Sequence, residues 1–143
     1  MVLASEKHEV EGVIAAWSNA ISNKDAEGVR RHLTNDIVQF TLAPPLEFRG
    51  DDAEDLEAWF STWRGPIGGE ARNVEIAVGD QAAFSTGLIH MSGTKTDGEN
   101  VDLWFRQTLG LKKVQGSWKI AHVHTSVPFY MDGSFRAAID LKP

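Results

Sequence analysis

Two histidines separated by one residue, His122 and His124, are the side chains in this sequence best suited to proton chemistry. Imidazole titrates near neutrality, so it can give or take a proton under physiological conditions. Both lie in the run Trp118-Lys119-Ile120-Ala121-His122-Val123-His124-Thr125-Ser126-Val127-Pro128-Phe129, which follows a turn at Gln115-Gly116-Ser117 and reads as a strand. Strict alternation puts Trp118, Ile120, His122, His124 and Ser126 on one face and Lys119, Ala121, Val123, Thr125 and Val127 on the other. On that reading the imidazoles stand roughly 7 Å apart, on a wall that passes from packed interior into a cavity. Pro128 cannot donate to a ladder, so pairing should fade there. Either both histidines serve the cavity, or one is a hydrogen-bonded core residue and only the other reaches it. A metal would need a third ligand, for which His90 and Asp102 are the candidates. Without cysteine or a second histidine pair, no metal is expected.

Arg106 lies on the strand expected to pair with the histidine strand, sharing a face with Asp102, Trp104 and Thr108. An inward guanidinium must be ion-paired or line a wet cavity. In the first case its partner would be Asp102 or Asp36. In the second its rigid fork of donors would clamp a carboxylate or enolate. His124 is the expected acid or base, His122 orients it, and Arg106 holds an anionic oxygen. Trp17, Phe40, Trp59, Trp63 and Trp104 are expected to be mostly core, some rimming a pocket for a flat apolar ligand. His90 and Glu47 are further cavity candidates, while His8 and His32 read as surface residues on helices. Asp36 is either a pocket base or part of the turn Thr34-Asn35-Asp36 that ends a helix.

Helices come first among the elements that must position these groups. Ser5 can cap one that buries Val10, Val13, Ile14, Trp17 and Ile21. A break at Asn23-Lys24-Asp25 precedes a shorter helix burying Ala26, Val29 and Leu33. Residues 37–42 form a short strand stopped by Ala43-Pro44-Pro45. Asp51 and Glu54 have capping-box spacing ahead of a third helix carrying Leu56, Trp59, Phe60 and Trp63, which Gly65-Pro66-Ile67-Gly68-Gly69 should terminate. From Val74 the period falls to two. Strands are expected at 74–78, 82–92, 101–113 and 118–129, with a turn at Asp97-Gly98. This is an α+β order with a mostly antiparallel sheet, curved and closed over by three N-terminal helices.

At 143 residues, with 42% hydrophobic and 24% charged side chains, the chain reads as one domain, 1–143. A net charge of -6 argues against a nucleic-acid partner. Zero cysteines exclude disulfides and a thiol nucleophile and fit a reducing, cytoplasmic setting. No apolar run approaches about 20 residues, so no membrane partner is expected, and the N-terminus lacks a signal peptide's pattern. Ala121, Val123 and Val127 would be a poor water-facing strand surface, which predicts a homodimer through the outer sheet face. The tail, 130–143, carries Phe135, Ile139 and Leu141 and is expected to fold back over the domain or across the dimer, as a clasp or a lid.

The order of elements resembles the cystatin-like, conical fold of nuclear transport factor 2 and ketosteroid isomerase. Trp104-Phe105-Arg106-Gln107-Thr108, then Gly116-Ser117-Trp118-Lys119-Ile120 running into His122, His124 and Ser126, resembles the SnoaL-like subgroup over nearly the whole chain. The resemblance implies a cone holding a small apolar ligand, with no cofactor. The protein would be an isomerase, cyclase or dehydratase acting on a carbonyl compound, or a binding or homo-oligomerisation module without turnover. Asp36 is similar in position to the general base of ketosteroid isomerases. Their catalytic Tyr has no counterpart, because Trp17 stands at the first-helix position and the single Tyr, Tyr130, lies outside the sheet.

Overall fold

The computed structural model describes residues 2–143, with side chains from Ser5 onward. Helix α1, Val2–Ser22, buries the apolar stripe of Val10 and Trp17, with Val13, Ile14 and Ile21 packed beside them. Glu6 anchors its first turns by accepting from Lys113 Nζ at 2.8 Å and from Trp118 Nε1 at 2.9 Å. Lys24, with a positive φ of 56°, turns the chain into α2, Ala26–Arg31, capped by the Asp25 carboxylate on the Gly28 amide. Strand β1, Leu33–Phe40, follows with only His32 between. The expected helix-ending turn at Thr34-Asn35-Asp36 is therefore part of a strand. Its start is fixed by the sheet, because the His32 carbonyl already accepts from the Ile120 amide at 2.7 Å.

After the two-residue strand β2, Phe48–Arg49, comes α3, Leu56–Phe60, capped by Asp55 on the Ala58 amide rather than by an Asp51–Glu54 box. The helix is shorter than its apolar spacing predicts. Ser61 and Thr62 hydroxyls bond back to the Ala58 and Trp59 carbonyls and close it. Trp63 then opens β3, Trp63–Val78, and the glycine run expected as a terminator lies inside that strand. Gly69 faces Ser18 and Ser22 of α1, both 3.9 Å from where a Cβ would sit, so small residues here allow close helix-on-sheet packing.

β4, Ala82–Lys95, β5, Asn100–Val114, and β6, Ser117–Ser126, complete a six-stranded sheet in the order β2-β1-β6-β5-β4-β3. Every neighbouring pair is antiparallel except β1 and β6. The chain is thus α+β with a mixed sheet and three helices, one long, and the third follows β2 rather than joining an N-terminal set. One sheet face packs on α1: Leu109, Leu111, Trp118 and Ile120 join Val10 and Trp17 in the core. The opposite face, called outer below, carries the side chains singled out for chemistry.

Candidate functional site: the outer face of the sheet

The decisive local feature is a β-bulge in β6. Leu111 pairs with Ile120, but the next residue of β5, Gly110, pairs with His122, leaving Ala121 as an extra residue. One inserted residue reverses the parity of everything after it. Trp118 and Ile120 point into the core before the bulge. Beyond it Val123, 4% exposed, points inward opposite the buried Leu109, while His122 and His124 point outward. The expectation that Trp118, Ile120 and both histidines share one face is corrected by this bulge. So is the placing of Val123 on the outer surface.

Arg106, Thr108 and Gly110 of β5 stand directly opposite Ser126, His124 and His122. Arg106 and His124 therefore share the outer face, and Arg106 Nε donates to Ser126 Oγ at 3.1 Å. The guanidinium pairs with neither Asp102 nor Asp36; its bond is to a neutral hydroxyl. On the other side of β6, Val38 and Phe40 of β1 stand opposite His122 and His124. The Phe40 ring meets both imidazoles edge-on, at 5.0 Å and 5.3 Å between centroids, and the imidazoles are 6.1 Å apart. His122 Nδ1 donates to the Val38 carbonyl oxygen at 2.7 Å. A carbonyl only accepts, so the proton of neutral His122 sits on Nδ1 and Nε2 keeps its lone pair.

His122 also lines a groove of about 570 Å³, together with Asp36, Val38, Arg49 and Lys112. Its floor is made of small residues from three strands, Ala82 and Ala83 of β4, Gly110 of β5 and Ala121 of β6. Asp36 is an exposed strand residue of this wall. A smaller hollow of about 310 Å³ opens beside Arg106, between Thr86, Leu88 and Thr108.

A second group lies on the same face towards β3. His90 Nε2 donates to Asp102 Oδ1 at 2.5 Å, and this bond holds the Asp102 carboxyl below the usual range. The His90 ring stacks on Trp104 at 4.8 Å, with planes 11° apart, and the Arg72 guanidinium sits 5.0 Å from the Trp104 ring. Glu70 approaches His90 Nδ1 at 3.9 Å. Glu70 and Arg72 follow directly on residues 65–69, whose glycines read as a stop, and their alternation with Gly68 is the signal in the sequence that they belong to a strand. Among the described residues no group of three His, Asp or Glu side chains could hold a metal ion.

The remaining predicted pocket residues are elsewhere. Trp17 and Trp63 are buried in the core and Trp59 packs against Trp63 at 5.8 Å, so they do not join the histidines. Lys95 Nζ, 4.1 Å from the Trp63 ring, caps that pair from the β4 end. The exposed Glu47 is occupied with Arg49 at 3.0 Å.

The profile of the SnoaL-like domain matches residues 10–130. This chain belongs to the SnoaL-like family. Among solved structures, an NTF2-like protein of unknown function from Pseudomonas putida is 27% identical, with 98% of each chain covered and a TM-score of 0.88. A protein provisionally described as a scytalone dehydratase, from Novosphingobium aromaticivorans, is 20% identical over 94% of this SnoaL-like chain and 92% of its own, with a TM-score of 0.79. The association domain of CaMKII from C. elegans is 20% identical over 86% and 96%, with a TM-score of 0.67. The last two likenesses show the NTF2-like fold alone. No curated protein matches the chain. No described helix is long and apolar enough to cross a membrane.

Proposed function

We propose that this SnoaL-like domain binds a small molecule in the outer groove and that His122 exchanges a proton with it. The observation that carries this is the fixed tautomer: Nδ1 is held by the Val38 carbonyl, so Nε2 is available as a base beside a groove large enough for a small ligand. The roles assigned from sequence change accordingly. His122 handles the proton, and His124, exposed and edge-on to Phe40, flanks it. Arg106, tied to Ser126, serves the neighbouring hollow. The reaction class is that of the dehydratases, cyclases and isomerases, in which a proton beside a carbonyl is removed or returned. His122→Asn keeps a donor for the Val38 carbonyl and removes the base. A panel of small carbonyl compounds should be consumed by the native protein and left intact by this variant. Consumption by both at equal rates would sink the assignment.

A second reading, self-association through the same face, is favoured by Phe84, which is 54% exposed on β4 and belongs to the outer face with Leu88 and Trp104. Sheet-on-sheet pairing of two copies would cover these residues and close the groove. Light scattering on the whole chain tests it, and a single-chain mass at micromolar concentration would rule it out.

A further inference from the structure

We infer that the outer groove is built for an oxyanion, a small molecule bearing a carboxylate or phosphate, held by Lys112 and Arg49. The inference rests on reading the groove as a ligand site and names the class of ligand. Lys112 stands directly opposite Lys119 across the β5–β6 ladder. Two like charges in that position repel, and nothing in the ladder itself requires them. Lys119 is held away by donating to the Arg31 carbonyl oxygen at 2.8 Å. Lys112 lines the groove and, among the described residues, makes no ion pair.

On the far wall Arg49 is engaged, among the described residues, only by Glu47, in an exposed pair that contributes little and can exchange for a better partner. Among the described residues, Asp36 is the one carboxylate lining the groove. Two cationic side chains, Lys112 and Arg49, thus line this groove against a single carboxylate, on a chain whose net charge is -6. An anion placed between Lys112 and Arg49 would relieve the Lys112–Lys119 repulsion. It would also lie over a floor with no side chain beyond Cβ at Gly110 and Ala121, within reach of His122.

The test is an NMR titration of the whole protein with inorganic phosphate and, separately, with acetate, chloride being exchanged out to keep ionic strength constant. The expected result is saturable shifts centred on Gly110, Ala121 and His122. Lys112→Ala should weaken binding by about tenfold, the loss of one charge-assisted contact, and Lys112→Arg should restore most of it. Saturation by phosphate alone identifies a phosphoester ligand, and saturation by acetate as well identifies a carboxylate. Absence of saturable shifts, shifts centred away from the groove, or equal affinity in Lys112→Ala would overturn the inference. Since the titration reads binding without turnover, the proton-exchange role of His122 can fail separately, through unchanged consumption of substrate by His122→Asn.

Discussion

Gly110 stands directly opposite His122, and a Cβ on Gly110 would lie 3.3 Å from the His122 Cβ. The bulge at Ala121 turns His122 outward, and the missing side chain at Gly110 leaves room for it. A larger residue at 110 would fill the groove floor and press on the imidazole. Gly110→Val should cost about 1–3 kcal/mol of stability, as overpacking does. That outweighs the roughly 0.4–1 kcal/mol gained by restricting the unfolded chain. Denaturant unfolding gives the first quantity, and displaced His122 ring resonances should accompany it. A variant with native stability and an unmoved His122 would show that the contact is not constraining.

Self-association through the outer face makes a sharper demand on β4. The interface inferred from Val123 fails because that side chain is in the core, which leaves Phe84, Leu88 and Trp104 as large apolar side chains of the outer sheet face. Phe84→Asp changes an exposed position and should leave the fold intact. It should convert a dimer to a monomer at micromolar concentration in sedimentation or light scattering. A dimer that survives both Phe84→Asp and Leu88→Asp is joined elsewhere.

Elements with strong periodicity were legible in the sequence. The stripe of Val10 and Trp17 is buried, the strand expected at 101–113 spans Asn100–Val114, and Gly98 takes the positive φ its turn requires. The facing of the histidines was not legible. Trp118, Ile120, His122 and His124 alternate without interruption, and an inserted residue leaves no mark on a period-two pattern. Only the preference of Val123 over His124 for the core reveals it. The glycines at 65, 68 and 69 misled for a related reason. Glycine marks a chain stop and a close helix contact alike, and only α1 lying over β3 decides between them.

Two carboxyls near α3 should make stability depend on pH with opposite signs. Burial pushes Glu54 above its ordinary 4.5, so its folded form resists ionisation. Its stabilising contribution is full below about 4.5 and is lost as the pH rises through its raised folded value. The Arg30 guanidinium, donating to both Glu57 oxygens at 2.8 Å, pulls Glu57 down to about 2. That contribution is present above 4.5 and is lost as the pH falls towards 2. Melting temperatures measured across this range should show Glu54→Gln removing a decline on the neutral side. Glu57→Gln should remove a smaller one on the acid side, because the Arg30–Glu57 pair is solvent-exposed. Parallel profiles for the native chain and Glu54→Gln would mean that Glu54 reaches water.

The tail turns back on itself, without burying the side chains expected to hold it to the domain. Phe135 and Ile139 are 71% and 60% exposed, whereas Ala138 is 3% exposed. A small hairpin holds it: the Tyr130 amide donates to the Arg136 carbonyl and the Ala138 amide to the Pro128 carbonyl, both at 2.8 Å. The Tyr130 hydroxyl donates to Asp140, and the Phe129 and Phe135 rings meet at 5.6 Å. Leaving those rings in water gains nothing, since burying each would be worth about 1.5–3 kcal/mol. A second copy is the surface expected to cover them. Ala138→Asp, which expels the anchor, and deletion of residues 131–143 should each lower the melting temperature by a few degrees and weaken self-association. Phe135→Ser should weaken association while leaving the melting temperature of the dilute, dissociated chain unchanged. If Phe135→Ser associates as tightly as the native protein, the tail is only an intramolecular clasp.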